Sequence, residues 1–438
     1  MMRQTKRQIS ATILFFCCVL CSTAQTISEE LQADVRRAAG MHYALPITEE
    51  MDDTPPPQGK KPFYINHYGC PSAYFLERAQ DYDAPYLMLS RADSLGKLTT
   101  LGRDVLARVE QMRKEAHDRT NELTEEGKRQ ARETIRQIAK RLPEVFTDKC
   151  FIDTRSILEN NSLLTMCEAY VELSRVHQPM KLYTNATKRH QAWMNPQDEV
   201  LENQRRDSLA MARYREFTAR WAPDDSHLMK TLFNDADYAK TLDAATLNRQ
   251  LFDLAGSTQY VEKGNYASLF SIFTPEDIRR HWMRRNAWAY IRYGGCTING
   301  GYQSYTQRRP LWNLIHMSDS VMQLDYPVAH FRYTSESAVM SLVCLLELDD
   351  FGVQTDCLDS LEALGWADYR ISPLGGSMII VLYRSDKNDP DPLVRVLLNG
   401  HEARLPFPSD CVPYYHWKDV KRYYLRKLYT YIRERNEN

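Results

Sequence analysis

The sequence predicts an α/β protein whose core is interrupted by a mostly helical cap. Two observations carry this prediction. Short β-type runs alternate with amphipathic helices in the first and last parts of the chain, and residues 178–320 between them are helical in pattern. With 438 residues, of which 43% are hydrophobic, the chain can bury a sizeable core.

The first core segment covers residues 63–177. It opens with a β-type run, Phe63–Tyr68, which Gly69 ends. Helices are predicted over about 98–115 and 127–142, because apolar residues recur on one face of each. Residues 150–152 are predicted to be a second strand and 158–177 another helix. The two apolar stripes are Leu98, Leu101, Val105, Val109 and Met112, then Ala131, Ile135, Ile138 and Leu142.

The core is predicted to resume over residues 321–438. Val328–Tyr333 is a strand candidate, followed by a helix with Val339, Leu342, Val343 and Leu346 on one side. Met378–Arg384 and Leu393–Asn399 are two β-rich runs. The chain ends in a helix whose predicted buried face is Trp417, Val420, Tyr424, Leu428 and Tyr431.

The N-terminus has the pattern of a secretory signal peptide. A basic start (Arg3, Lys6, Arg7) precedes an apolar run over 13–20, and Ala24 offers a small-residue cleavage site. We therefore expect residues 1–24 to be removed, 25–62 to form an N-terminal arm, and the mature chain to contain no transmembrane segment. The predicted location is extracytoplasmic: periplasmic, outer-membrane-associated or secreted.

Charge and cysteine content narrow the function further. The net charge of −1 gives no reason to expect a nucleic-acid partner. Three of the ten cysteines lie in the signal segment, and the remaining seven leave at least one thiol unpaired in a monomer. Because no CxxC or Cys/His ligand spacing is present, we predict neither a metal site nor a cofactor.

Five sequence blocks occur in an order and spacing that resemble the histidine acid phosphatases, most of all the bacterial multiple inositol polyphosphate phosphatase (phytase) branch. The blocks are Pro62–Gly69, Leu98–Gly102, Leu123–Gly127, Ala139–Phe146 and Leu397–Asn399. The resemblance implies a three-layer core around a mainly parallel sheet, with an inserted helical cap at 178–320.

The catalytic groups that the resemblance implies are missing. The family places a nucleophilic His between two arginines after the first strand, with a third Arg and a second His elsewhere. Together these supply a nucleophile and a cationic cradle for phosphate. The matching positions of this chain are Cys70, Pro71, Tyr74, Asn161 and Ser335. Only Glu336, beside the second of the family's histidine positions, is a possible proton donor. The favoured interpretation is structural: Ser335 acts as an N-cap, and Glu336 complements the macrodipole at the start of a helix.

Two residues near the motif are candidates for a substitute nucleophile. His67 precedes the motif, but alternate residues of a strand face opposite ways. Cys70 lacks the Arg that a cysteine phosphatase carries six positions on, where this chain has Leu76, and no positive charge is near. A structural role is favoured for both residues.

Basic residues of the cap are weak candidates for ligand binding. They could attract an inositol polyphosphate, although a solvated helix face is the favoured interpretation. These residues are Arg279, Arg280, Arg284, Arg285, Arg308 and Arg309.

The sequence thus predicts a secreted, catalytically inactive phosphatase-like protein that acts as a binding or interaction module. Its partner would be an anionic small molecule, such as an inositol phosphate, or a protein. The alternative is an active phosphomonoesterase, a phytase-like hydrolase of inositol polyphosphates with an altered mechanism. Glu336 and the cap arginines motivate that alternative.

Overall fold

A computed structural model describes residues 26–47, 51–176, 181–260 and 268–436. The predicted signal peptide lies outside these residues. The strands are β1 (Lys61–Gly69), β2 (Phe151–Ser156), β3 (Lys181–Asn185), β4 (Gly295–Cys296), β5 (Val328–Tyr333), β6 (Gln354–Thr355), β7 (Ser377–Arg384), β8 (Leu393–Leu398), β9 (His401–Glu402) and β10 (Tyr414–His416).

Helices make up most of the remaining structure. They are α1 (Ile27–Ala33), α2 (Ala79–Ser94), α3 (Thr100–Glu115), α4 (Glu125–Arg141), α5 (Asn160–Val176), α6 (Lys188–Gln191), α7 (Glu199–Gln204), α8 (Ser208–Arg220), α9 (Asp225–Leu232), α10 (Ala236–Ala239), α11 (Ala244–Ser257), α12 (Pro275–Tyr293), α13 (Arg308–Val321), α14 (Glu336–Leu346), α15 (Asp368–Ile371) and α16 (Trp417–Asn436). A 3-10 helix, Val35–His42, follows α1.

One eight-stranded sheet organises the core, with the order β10-β8-β7-β1-β5-β2-β3 and β9 paired to β8. The neighbours β1, β5, β2 and β3 are parallel. β7, β8 and β10 extend the sheet in antiparallel pairs. The α/β fold predicted from the sequence is confirmed.

Helices cover both faces of this sheet. Along β7, Met378, Ile380 and Leu382 join one apolar cluster, whereas Ile379 and Val381 join another. The second cluster includes buried residues of α4 and α5, and the first includes those of α3, α12, α14 and α16. This alternation, which follows from the two-residue period of a strand, produces the three layers that the resemblance implied.

The predicted apolar stripes are buried with one exception. Leu101 is 39% exposed. Thr99 caps α3 by accepting a hydrogen bond from Gly102 N at 2.9 Å, so the helix starts at Thr100 and Leu101 falls on its outer face. All five residues predicted for the buried face of α16 are less than 9% exposed.

Two further segments bear on the predicted domain organisation. Ile27, Leu31 and Tyr43 of the predicted arm are buried against the helical layer. β3 lies within the range 178–320 predicted for the cap, yet it pairs with β2 at the edge of the main sheet. The division of the chain into core and cap stays a prediction. No helix within the described ranges is long and apolar enough to cross a membrane.

Candidate functional site

The candidate site lies at the carboxyl ends of three parallel strands. β1 leads into the loop 70–74, β2 leads toward α5, and β5 leads into α14. Tyr333 pairs with both Gly69 and Ser156, so the three strand ends are adjacent. Ligands of open α/β sheets bind outside such strand ends.

A cleft of about 370 Å³ opens above these strand ends. The core supplies Tyr74, Asn161, Ser335 and Glu336 to its wall. The structure therefore brings together four of the six positions at which the resemblance placed catalytic groups. Within the described residues, the other two, Cys70 and Pro71, do not line the cleft.

The loop 70–74 is buried, and the backbone N–H groups of Cys70, Ser72 and Ala73 are occupied. Cys70 N donates to Gly376 O at 2.9 Å. Ser72 N donates to Thr165 Oγ1 at 3.0 Å, and Ala73 N donates to Gln130 Oε1 at 2.9 Å. Pro71 has no backbone N–H. The loop therefore directs none of these donors at an anion in the cleft.

The thiol of Cys70 is buried. Burial raises the pKa of its thiol well above the usual value, and the nearby Glu336 carboxyl adds to this effect. Only the thiolate is an effective nucleophile. The thiol packs in the apolar core.

His67 is likewise a core residue. Its ring packs 5.2 Å from Phe331 and 5.4 Å from Tyr333 between ring centroids. Neither ring nitrogen has a hydrogen-bond partner among the described residues, and burial lowers the pKa of His67 to about 3. It does not line the cleft described above.

Glu336 is the acidic group of the cleft. Tyr74 Oη donates a hydrogen bond to its Oε1 at 3.0 Å. Burial raises the pKa of Glu336 to about 7, and repulsion from Glu159 and Glu77 contributes. A carboxyl with this pKa can donate a proton near neutral pH, but no nucleophile accompanies it at the positions that the resemblance specifies.

The side chains of Ser335 and Asn161 make local hydrogen bonds. Ser335 is the N-cap of α14 and accepts from Ala338 N at 3.3 Å. Asn161 Oδ1 accepts from Ser162 N at 2.6 Å. Both groups are neutral, so neither replaces the positive charge of the residue that the resemblance implies.

The six cap arginines lie outside the lining of this cleft, and four of them pair with local carboxylates. Arg279 contacts Glu362 at 2.6 Å and Arg280 contacts Glu276 at 2.8 Å. The other two pairs are Arg285 with Asp253 and Arg308 with Asp198. Arg284 is half-buried, and Arg309 is exposed. The paired residues fit the helix-face interpretation better than ligand binding.

The structure adds two arginines that sequence reasoning missed. Arg205 and Arg292 line the cleft and flank Tyr293, with guanidinium carbons 5.2 Å and 5.5 Å from its ring centroid. Arg205 Nε donates to Gln303 Oε1 at 3.0 Å. Among the described residues, neither guanidinium is in an ion pair with a carboxylate. Their sequence positions carry no phosphate-binding motif, so only the fold reveals them.

His42 is a third residue that the sequence did not indicate. It comes from the N-terminal arm, lines the cleft, and its ring lies 6.1 Å from that of Tyr74. Burial lowers the pKa of His42 to about 4, so the imidazole is neutral at neutral pH.

Acidic groups outnumber basic ones in this cleft. Glu77, Glu159, Glu202 and Glu336 line it, against Arg205 and Arg292. A ligand with many negative charges would face more carboxylates than guanidinium groups.

Comparison with solved structures identifies the fold. The chain has the histidine acid phosphatase fold. It is similar to the Bifidobacterium longum multiple inositol polyphosphate phosphatase in its apo form, with a TM-score of 0.71 and 13% identity over 88% of this chain and 97% of that one. The structure of that enzyme in complex with inositol hexasulfate matches with a TM-score of 0.69. The D. castellii phytase matches with a TM-score of 0.63 and 12% identity, over 90% of this chain and 85% of that one. The sequence matches no protein-family model and no curated protein.

Proposed function

We propose that this chain is a catalytically inactive, extracytoplasmic protein that uses its phosphatase-like cleft for binding rather than for hydrolysis. The observation that carries the proposal is the loop 70–74. It is buried, it is neutral, and its donors at Cys70, Ser72 and Ala73 bond to the protein itself.

The magnitude of the expected loss supports this proposal. Removing the nucleophile of a hydrolase that works through a covalent intermediate costs on the order of 10⁴–10⁶ in rate. The cleft also lacks the guanidinium groups that would recognise phosphate in a bidentate manner at the positions of Tyr74 and Asn161. Glu336 alone supplies proton transfer, which contributes about 10²–10⁴.

A second candidate function is phosphomonoester hydrolysis by an altered mechanism. The observation that favours it is the pKa of about 7 for Glu336, which suits a general acid at neutral pH. In this mechanism water, and not a protein side chain, would attack phosphorus.

An activity assay separates these two candidates. The purified chain without residues 1–24 is incubated with phytate and a panel of phosphomonoesters, beside a heat-inactivated control and Glu336→Gln. We expect no turnover above the control. Turnover that disappears in Glu336→Gln would instead establish the second candidate.

The ligand that we propose for the cleft carries one anionic group. Arg205 and Arg292 form one cationic position around Tyr293, whereas Glu77, Glu159 and Glu202 leave the rest of the cleft acidic. A single phosphate or carboxylate can bond to the arginines while the remainder of the ligand avoids the carboxylates.

Calorimetry with inorganic phosphate and with phytate tests this ligand class, at low and at physiological salt. We expect Arg292→Gln to weaken phosphate binding at least tenfold, and the exposed Arg309→Gln to leave it unchanged. The single-anion proposal would be contradicted if phytate bound more tightly than phosphate at physiological salt and if Arg292→Gln left the affinity for phytate unchanged.

A further inference from the structure

Three potential metal ligands converge where the chain enters β10. The carboxylate of Asp410, the thiol of Cys411 and the imidazole of His416 place their ligand atoms within 4.8 Å of one another. Asp410 is exposed, whereas Cys411 and His416 are half-buried. An ion can therefore reach the cluster from solvent.

The imidazole of His416 is held from both sides. Its Nδ1 lies 2.7 Å from Asp391 Oδ2, and its Nε2 lies 2.9 Å from Asp410 Oδ1. Asp391 comes from the connection between β7 and β8, whereas the other three residues lie in the segment 410–416. A histidine that binds a metal through one nitrogen usually gives its other N–H to a carboxylate in this way.

The donor set suits a borderline-soft divalent cation. Thiolate, imidazole and carboxylate are the zinc ligands of proteins, with metal–ligand distances of about 2.0–2.3 Å. At tetrahedral angles such distances separate the ligand atoms by about 3.3–3.6 Å. The Nε2–Oδ1 distance would have to open by only a few tenths of an ångström. Cys411 Sγ, now 3.4 Å from Tyr414 O, would turn from that carbonyl toward the ion.

Strand register separates this cluster from the cleft. His416 pairs with Leu393, Leu393 pairs with Tyr383, and the next residue, Arg384, pairs with Lys61 at the start of β1. The cleft lies beyond Gly69 at the opposite end of β1. An ion bound here would therefore not take part in chemistry in the cleft.

We propose that Asp410, Cys411 and His416 form a zinc-binding site, with Asp391 as the residue that orients the imidazole and water as the fourth ligand. Binding displaces the thiol proton of Cys411 and any proton on Nε2 of His416 to solvent. The ion would fix the positions of Asp410, Cys411 and His416, and His416 in turn contacts Asp391 of the β7–β8 connection. The sequence predicts no such site, because Cys411 and His416 lack a familiar ligand spacing and Asp391 comes from another part of the chain.

Titration of the chain without residues 1–24 with Zn²⁺, and with Co²⁺ as a spectroscopic probe, tests the proposal. The protein is kept reduced with a phosphine that does not compete strongly for the metal. We expect one ion per chain and a thiolate-to-cobalt charge-transfer band that Cys411→Ser abolishes. The matched control is Cys357→Ser, which removes an exposed thiol outside the cluster and should retain the band.

Two further variants distinguish ligation from positioning. His416→Gln should weaken zinc binding at least 100-fold. Asp391→Asn keeps all three ligands and should weaken it about 10–100-fold, with the charge-transfer band retained. Circular dichroism verifies that each variant is folded. A cobalt band that survives Cys411→Ser, or zinc binding equal in wild type and His416→Gln, would overturn the proposal.

Discussion

The pKa of Glu336 makes the stability of this protein depend on pH in an unusual direction. Most paired carboxyls have lowered pKa values and stabilise a protein as pH rises. Burial instead raises the pKa of Glu336 from 4.5 to about 7. Between these values the folded protein holds a proton that the unfolded chain releases, so this group makes the protein less stable as pH rises.

The size of the effect follows from the two pKa values. The full difference corresponds to about 3.4 kcal/mol, because each pKa unit is worth about 1.36 kcal/mol. Between pH 5 and pH 8 the contribution of Glu336 should change by about 2.5 kcal/mol. Glu336→Gln should remove this change and, at pH 8, make the protein more stable than wild type, because the amide oxygen can still accept the hydrogen bond from Tyr74.

Urea unfolding of wild type and Glu336→Gln at pH 5 and pH 8 measures this effect. Other groups titrate in the same range, including Asp368 with a raised pKa of about 6, but they are common to both proteins and cancel in the difference. Glu216→Gln, at an exposed position outside this cleft, controls for the loss of a negative charge. If wild type and Glu336→Gln lose the same free energy between the two pH values, the argument from burial is wrong.

Two substitutions test the packing around the site. Asp153→Asn should lower the free energy of unfolding in urea by about 3–5 kcal/mol, because the buried Arg332, 2.9 Å from the carboxylate, then keeps an uncompensated charge. The control Asp237→Asn, at an exposed position, should change this free energy by less than about 0.5 kcal/mol. In an ordinary helix, a change from Gly to Ala raises the free energy of unfolding by up to about 1 kcal/mol. In Gly127→Ala the new methyl group would meet the carbonyl oxygen of Ala73, so we expect the free energy of unfolding to fall by about 1–3 kcal/mol in thermal unfolding. A more stable variant would contradict this close approach.

The sequence predicted the fold well because its signals are local. The apolar spacing in α16 and the β-rich runs of β5 and β7 each specify an element within a few residues. The assignment of residues to the motif positions, which takes its register from Gly69, stays a prediction. Four of those six positions do line one cleft.

The rest of the cleft depends on contacts between distant parts of the chain. His42 comes from the arm, Arg205 from the end of α7 and Arg292 from α12, and no local pattern distinguishes them. The cap arginines that did stand out as a basic run are largely paired with acidic neighbours such as Glu276 and Glu362. Ion pairing across helices is a tertiary property, so a charge run in the sequence does not show which charges remain available for a ligand.

On the proposal of an inactive site, the raised pKa of Glu336 and the absence of a phosphate cradle have one origin. An arginine at position 74 would place a positive charge beside the carboxyl and lower its pKa, because an opposite charge favours the ionised form. Tyr74 instead offers a neutral hydroxyl 3.0 Å away, and Glu77 and Glu159 add negative charge. If position 74 is the arginine position of the family, the tyrosine there both withholds a phosphate ligand and leaves Glu336 protonated up to about neutral pH. On this proposal a proton donor at Glu336 is weak evidence for catalysis, since the residue that makes it available cannot hold the substrate beside it.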